Sequence, residues 1–467
     1  MKKVAFHNLG CKVNSYELDG ILQMFQKRGY EIVDFAQKAD IYIINTCTVT
    51  NIADRKSRQM IGRARAQNPE AVVVAAGCYV QIDPQKAVKD EDIDIAVGNN
   101  HKSEIVDIVE KYMNMHHGDD IGEYERKTLG GSTISDISKK CGYEDMEAGR
   151  TSGNTRAYIK IQDGCDQFCS YCAIPLARGR VRSRSLEDIA KEARTLSQNG
   201  YKEVVITGIH ISSYGLNGAY NTFAAKDGTN TALLEAIHAV ASVPGIERVR
   251  LSSLEPRLIT DDFIGRLSEI EKVCPHFHLS LQSGCDSVLE RMNRHYTTGE
   301  YRDKAELIRR YYEHPAITTD IIAGFPGETE EEFEKTRAFL DEVNLYECHV
   351  FKYSRRKGTR ADTMDGQLTD AEKSARSTIL IKESDRRKHD FMEYYKGRNV
   401  TVLTEDTQTV KGQVMTVGFT PEYVKVAIPE TQSGRITEIL CFEREFDIML
   451  GSETQYLHKQ EETTCRI

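Results

Sequence analysis

Hydrophobic positions over residues 1–113 follow two periods in turn. Short apolar runs at Lys3–Asn8, Ile41–Ile44 and Ala71–Ala75 have the size of buried parallel strands. Between them apolar residues recur at helical spacing, as in Ser15–Arg28, where Leu18, Ile21, Leu22 and Phe25 share a face. The alternation predicts a small parallel-sheet α/β domain over 1–113. Residues 114–150 are polar, rich in Gly, Ser, Asp and Glu and without strong period, which predicts a linker. Strand–helix alternation resumes at Ala157. Candidate strands are Ala157–Ile161, Glu203–Thr207, Arg248–Ser252, Phe277–Leu281, Thr318–Ile322 and Cys348–Tyr353. Six such units predict a full or partial parallel barrel inside a core spanning 151–392. A charged helix, Asp370–Tyr395, leads into short β-rich segments at Val400–Thr404, Gly412–Val417, Tyr423–Ala427 and Ile436–Ile439. They predict a small all-β barrel over 393–457, with a tail at 458–467. The expected fold class is therefore α/β, with an N-terminal parallel-sheet domain, a central partial (β/α) barrel and a C-terminal β-barrel.

Composition narrows the setting. No apolar run approaches the ~18–20 residues that span a bilayer. The opening MKKVAFHNLGCKVN carries two lysines but no long apolar stretch, so no signal peptide is read and a cytoplasmic location without membrane contact is expected. Twelve cysteines in 467 residues do not make a disulfide scaffold. In a reducing compartment, clustered cysteines serve as metal ligands or catalytic groups. A net charge of −9 gives no global attraction to nucleic acid, so any such binding needs local basic patches or a dedicated module.

The cysteines fall into two constellations. In GCDQFCSYC, Cys165, Cys169 and Cys172 stand at spacings of four and three, just past the first barrel strand. One tight loop can present three thiolates to three corners of an iron–sulfur cube, leaving the fourth iron open. A structural zinc site is the competing reading; it would want a fourth His or Cys, and His210 could be recruited. The second constellation is spread out. Cys11, Cys47 and Cys78 each follow a strand of the N-terminal sheet and begin a helix, in NLGCKVN, NTCTVT and GCYVQ. Ligand sites in open α/β sheets lie beyond the carboxyl ends of the strands, where helix N-termini favour thiolates. Gly10 and Gly77 precede two of them, suiting close approach to a bulky ligand. Three independently buried cysteines are the plainer reading. Cys141, Cys274, Cys285, Cys348, Cys441 and Cys465 show no such pattern and read as structural.

With both sets in view, the chain resembles the radical S-adenosylmethionine superfamily, and within it the methylthiotransferases. The resemblance covers nearly the whole chain. The last barrel resembles the RNA-binding TRAM module. The isopentenyladenosine branch typically reads GCQMN and NTCAIR at the first two cysteines, and the ribosomal-protein branch GCPKN and NTCGFI. GCKVN and NTCTVT here resemble the branch acting on N6-threonylcarbamoyladenosine in tRNA. The resemblance implies two 4Fe–4S clusters, on Cys165, Cys169 and Cys172 and on Cys11, Cys47 and Cys78. It implies S-adenosylmethionine as methyl donor and radical source, and methylthiolation of adenosine C2 at position 37. The implied partners are the tRNA anticodon stem-loop, an electron donor such as a flavodoxin-type reductant, and a sulfur donor. The alternatives are a methylthiotransferase acting on isopentenyladenosine or a ribosomal protein, and a non-enzymatic iron–sulfur RNA-binding or electron-transfer protein. Two open irons argue against the last, because simple carriers fill every position with protein ligands.

The same resemblance places Tyr171 near the adenine of S-adenosylmethionine, and Gly208, in TGIHI, near its methionine amino group, though without the acidic residue many superfamily members carry there. Ser253 and Glu255 in SSLEP, and Gln282 and Ser283 in LQSG, end barrel strands at the rim where such folds place chemistry. Each also reads as an ordinary turn residue. Gly324, Pro326 and Gly327 in AGFPGET read as a tight turn at that rim. Two basic stretches read as tRNA contacts or as solvated charged faces. Arg178, Arg180, Arg182 and Arg184 alternate on one side of an extended segment, and Lys352, Arg355, Arg356, Lys357 and Arg360 cluster after the last core strand. From Tyr394 onward there are 8 Lys/Arg and 11 Asp/Glu, an acidic balance for an RNA-binding module, with Phe419 and Tyr423 as candidate stacking residues.

Overall fold

The computed structural model describes residues 1–115, 132–139, 141–146, 149, 155–216 and 230–453. The expected tail, 458–467 with Cys465, lies outside the described residues. The N-terminal sheet holds β1 (Lys3–Asn8), β2 (Glu31–Val33), β3 (Ile41–Thr46), β4 (Val72–Gly77) and β5 (Ile95–Val97) in the order β2-β1-β3-β4-β5, every pair parallel. The chain reverses its direction across the sheet between β1 and β3. β3 and β4 are buried along their whole length, which is why they read as unbroken apolar runs. Helix α1 (Lys12–Lys27) turns Leu18, Ile21 and Phe25 onto this sheet, as its spacing predicts.

The segment read as a linker is not a spacer where it is described. Thr133 pairs beside Val97, with Thr133 N donating to Ala96 O at 2.9 Å and Gly98 N to Thr133 O at 2.9 Å, which extends the sheet past β5. Farther on, Tyr143 donates to Lys160 O at 2.8 Å, and Met146 O accepts from Tyr16. Ile137 and Met146 are the buried anchors. They are too sparse to give a period, so the sequence pattern hides them.

The core is an open partial barrel. β6 (Ala157–Asp163), β8 (Glu203–Gly208) and β9 (Arg248–Leu251) run parallel, with the short antiparallel β7 (Arg182–Ser183) on the edge of β6. β10 (His276–His278), β11 (Ala316–Ala323) and β12 (Glu347–Lys352) form a second parallel group. Bridges at Val249–Val273 and Leu254–Leu279 join the two groups. β10 is shorter than the expected Phe277–Leu281 because the Thr319 hydroxyl takes the Leu281 N–H at 2.8 Å in place of a ladder partner. Gln282 then turns the chain at φ 76°.

The C-terminal unit is a closed barrel of β13 (Asn399–Val410), β14 (Gln413–Phe419), β15 (Lys425–Pro429), β16 (Ile436–Glu445) and β17 (Ile448–Glu453), in the order β13-β14-β15-β17-β16. The fifth strand, absent from the sequence reading, closes it. Arg248 holds this barrel to the core through Thr401 O at 2.9 Å and Phe419 O at 3.0 Å, and Arg250 through Pro421 O at 2.8 Å. No described helix is long and apolar enough to cross a membrane.

Candidate active site

Cys11 and Cys47 flank the reversal point between β1 and β3, and Cys78 follows the next strand, β4. This is the crevice where open α/β sheets bind ligands. The loops meet because two glycines let them. A Cβ on Gly10 would stand 3.0 Å from Cys47 Cβ, and one on Gly77 2.8 Å from Asn45 Oδ1 and 2.9 Å from Thr46 O. The close approach is thus to the neighbouring strand end, rather than directly to a ligand as the sequence suggests. Asn14 straps the loops together, donating to Leu9 O at 2.7 Å and Thr46 O at 3.0 Å. Burial pushes the Cys47 thiol up to about 11, and the nearby Cys78 and Cys11 add to the shift. The adjacency of β1, β3 and β4 puts the three thiols on one edge of the sheet.

Cys165, Cys169 and Cys172 lie in the loop between β6 and the short helix Ile174–Arg178 and line one cavity of about 360 Å³. Burial raises Cys165 well above the ordinary thiol range and Cys172 to about 12, each reinforced by its neighbouring thiols. Arg294, which sequence reasoning missed, donates Nη1 to Cys169 Sγ at 3.3 Å and Nη2 to Glu255 Oε2 at 2.8 Å. Burial alone would raise Glu255; Arg294, His210 and Arg257 overcome it and hold the carboxyl down at about 2. His210 Nε2 faces Glu255 Oε2 at 3.6 Å, so it serves that carboxylate. Among the described residues no three or more His, Cys, Asp or Glu are arranged to hold a metal ion.

Of the expected rim residues, Tyr171, Ser253, Glu255 and Gln282 line this cavity. Gly208 and Ser283 do not. Gly208 packs against Gln162 O, and Ser283 Oγ is bonded to Thr336 Oγ1 at 3.3 Å. Tyr171 packs against the apolar cluster of Cys285, Val288, Met292, Phe325, Tyr353 and Ala361. Thr48, Val49 and Thr50, directly after Cys47, line the same cavity from the N-terminal domain. Val49 and Phe351 are half-exposed apolar residues of this lining.

The basic stretches differ from expectation. Arg178 ends a helix and is fully buried, pairing with Glu17 at 2.7 Å and Asp163 at 3.2 Å and donating to Asn14 Oδ1 at 2.7 Å. Lys102 and Lys160 complete this buried network across the domain seam. Arg182 is buried on Cys141 Sγ at 3.0 Å and Arg178 O at 2.9 Å, and Arg184 pairs with Glu192. Arg356 is buried too, clamping Asn51 Oδ1 and Asp54 Oδ2 at 2.8 Å each. Of these nine basic residues, Arg178, Arg182 and Arg356 therefore hold the N-terminal domain against the core, Arg182 through Asn100 Oδ1. A local pattern of arginines carries no record of distant carboxylates. Arg180, over the Phe168 ring, and Arg355, paired with Asp362 at 2.6 Å, remain at the surface.

A second, inner chamber of about 240 Å³ shares Ser253 and Asp320 with the first cavity. Lys12, Arg156, Arg250, His276 and Tyr423 are among its walls, so all three parts of the chain contribute. Lys12 is exposed, and the nearby Arg250 and Arg156 disfavour its charge.

Residues 3–98 match the model described as uncharacterized protein family UPF0004, and residues 159–340 that of the Radical SAM superfamily. The chain is similar to a threonylcarbamoyladenosine tRNA methylthiotransferase MtaB of Bacillus subtilis, 39% identical over 94% of this chain and 93% of that protein. The MtaB of Aquifex aeolicus is 39% identical over 86% and 92%. A tRNA-2-methylthio-N(6)-dimethylallyladenosine synthase of Acetivibrio thermocellus is 31% identical over 89% and 83%. Among solved structures, the radical S-adenosylmethionine methyltransferase TsrM from Kitasatospora setae aligns with a TM-score of 0.55, covering 77% of this chain and 74% of that one. At 15% identity this likeness is one of fold.

Proposed function

The chain belongs to the radical S-adenosylmethionine tRNA methylthiotransferases, the MtaB branch, and from that premise we propose that it adds a methylthio group to C2 of N6-threonylcarbamoyladenosine at position 37 of tRNA. The product is 2-methylthio-N6-threonylcarbamoyladenosine. One observation carries the two-centre reading: the residues following Cys47 line the same cavity as Cys165, Cys169 and Cys172. A sulfur centre at the first set would open onto a radical centre at the second.

In this reading Cys165, Cys169 and Cys172 hold one 4Fe–4S cluster, and Cys11, Cys47 and Cys78 a second. The donor sets fit: three soft thiols at each site, with cations close by in Arg294 and Arg178 to offset thiolate charge. A cluster on the core set supplies, when bound, an open iron for S-adenosylmethionine and the electron for its cleavage. Arg294 positions the Cys169 thiolate and is itself held by ionised Glu255. Ser253 and Gln282 offer polar groups to S-adenosylmethionine, while Tyr171 braces the thiol loop. Val49, Ile174, Ile209, Leu254, Ile322 and Phe351 give the cavity an apolar lining. Arg180 and Arg355, with the exposed Lys352, Lys357 and Arg360, are the surface cations assigned here to the anticodon stem-loop. The reaction draws on an external reductant of flavodoxin type and a sulfur donor in the cytoplasm.

Mass spectrometry of tRNA nucleosides from a deletion strain tests the substrate. The methylthiolated threonylcarbamoyladenosine should vanish and return on complementation. Unchanged levels, or loss of the methylthiolated isopentenyladenosine instead, would overturn this assignment.

A further inference from the structure

The inner chamber is not needed to hold either thiol set, yet it is built for a charged ligand. Its walls bring together Lys12 from the N-terminal domain with Arg156 and Arg250 from the core. Both arginines already have carboxylate partners, Arg156 with Glu405 at 2.8 Å and Arg250 with Glu203 at 2.8 Å. The wall acids are likewise engaged, Glu347 with Lys388 at 3.0 Å and Asp320 with His278 at 3.4 Å. Among the described residues Lys12 has no hydrogen-bond or ion-pair partner. Ser252 Oγ and His276 Nδ1, on the same walls, are buried without a hydrogen-bond partner. Lys12 is exposed, and its ammonium facing two guanidiniums beside the buried, unpartnered Ser252 Oγ and His276 Nδ1 suits an anion with further hydrogen-bonding groups.

We propose that this chamber receives the threonyl tail of the modified adenosine, with Lys12 as the partner of its carboxylate, so that Lys12 selects an acid-tailed base over a neutral-tailed one. The inference rests on the substrate reading above. The two cavities lie side by side, with Ser253 and Asp320 in the walls of both. C2 and the N6 substituent leave adenine in different directions, on either side of N1. A base that turns C2 toward the thiol loop therefore sends its tail elsewhere, and the chamber is the neighbouring space on the far side of Ser253 and Asp320. The tail carries a carbamoyl, a hydroxyl and a carboxylate, which match Ser252, His276 and Lys12.

The test uses the full-length enzyme with both thiol sets loaded. Its substrates are an anticodon stem-loop bearing threonylcarbamoyladenosine and the same RNA with the threonyl carboxylate as its methyl ester. Lys12→Gln should raise KM for the acid about ten- to a hundredfold, the size of a charged hydrogen bond, with kcat held within about twofold. On the ester, wild type and Lys12→Gln should share one KM, and Lys12→Arg should keep most of the affinity for the acid. Ser252→Asp places a negative charge beside Lys12 without touching the Cys11 loop, and should raise KM for the acid at least about fivefold more than for the ester. Iron content and cluster absorption check that neither variant acts through the thiol sites. Equal losses on acid and ester would assign Lys12 to an RNA phosphate or to folding and overturn the proposal. So would unchanged KM in both Lys12→Gln and Ser252→Asp. A wild-type enzyme inert on the acid substrate would instead overturn the substrate reading, and this inference with it.

Discussion

The two thiol sets reach the same end by different means. Cys165, Cys169 and Cys172 are neighbours because one loop of eight residues holds them. Cys11, Cys47 and Cys78 are neighbours because three adjacent parallel strands end side by side and Gly10 and Gly77 let their loops touch. The first set is a local object that a loop carries with it. The second exists only while a sheet is folded in register. The comparison teaches that the second set should be the more sensitive to distant change, and the first the more self-sufficient.

The largest effects should come from the ligands themselves, and they should not be symmetric. Cys169→Ala is expected to lose about half the iron of a reconstituted chain holding about eight and to abolish S-adenosylmethionine cleavage. Cys47→Ala should lose a similar share of iron and abolish methylthiolation, yet keep S-adenosylmethionine cleavage within about threefold of wild type. Iron analysis with 5′-deoxyadenosine and nucleoside assays separates the two. If Cys47→Ala keeps all its iron, the second set is no ligand set and the comparison fails.

A smaller effect should come from the seam that both sets share. Arg178 follows the core thiol loop and reaches Glu17 and Asn14 of the N-terminal domain. Arg178→Met strips buried Glu17 and Asp163 of one cation, and should cost about 3–5 kcal/mol in denaturant unfolding. It should lower iron at both sets together, which neither cysteine variant does. Arg180→Ala, at the surface, should stay within about 0.5 kcal/mol of wild type. Loss confined to one set after Arg178→Met would show that the seam does not couple them.

The smallest effect sharpens the contrast most. Gly77 sits at φ 101°, ψ −153°, a region that side chains hardly enter. Gly77→Ala should cost about 1–3 kcal/mol and displace the Cys78 loop from Asn45 and Thr46. Iron should fall at the N-terminal set while S-adenosylmethionine cleavage at the core persists. Equal damage at both centres would mean the sheet supports the core loop as well.

Much of this was legible in residue order. Strand and helix periods are local, so the three-part α/β architecture and most core strands could be read directly. Both thiol sets could be read too, one from spacing and one from three repeated strand-end positions. Arg294 could not be read, because nothing in MNRHYT marks an arginine that will face Cys169 across the cavity. Nor could the buried fates of Arg178, Arg182 and Arg356, since a run of arginines looks the same whether water or Glu17 and Asp54 receive it. The sheet-edge pairing of Thr133 and the chamber around Lys12 were equally hidden.

The sequence by itself determined the close spacing of Cys165, Cys169 and Cys172, the strands that precede Cys11, Cys47 and Cys78 and the family that the chain resembles, because spacing and period are properties of neighbours along the chain. Only the tertiary structure decided that the loop after Cys47 opens into the cavity of Cys165, Cys169 and Cys172. It alone decided that Arg178 and Arg356 are buried on carboxylates at the seam. Those outcomes depend on contacts between residues more than a hundred positions apart, where burial and charge pairing select partners that no local pattern records.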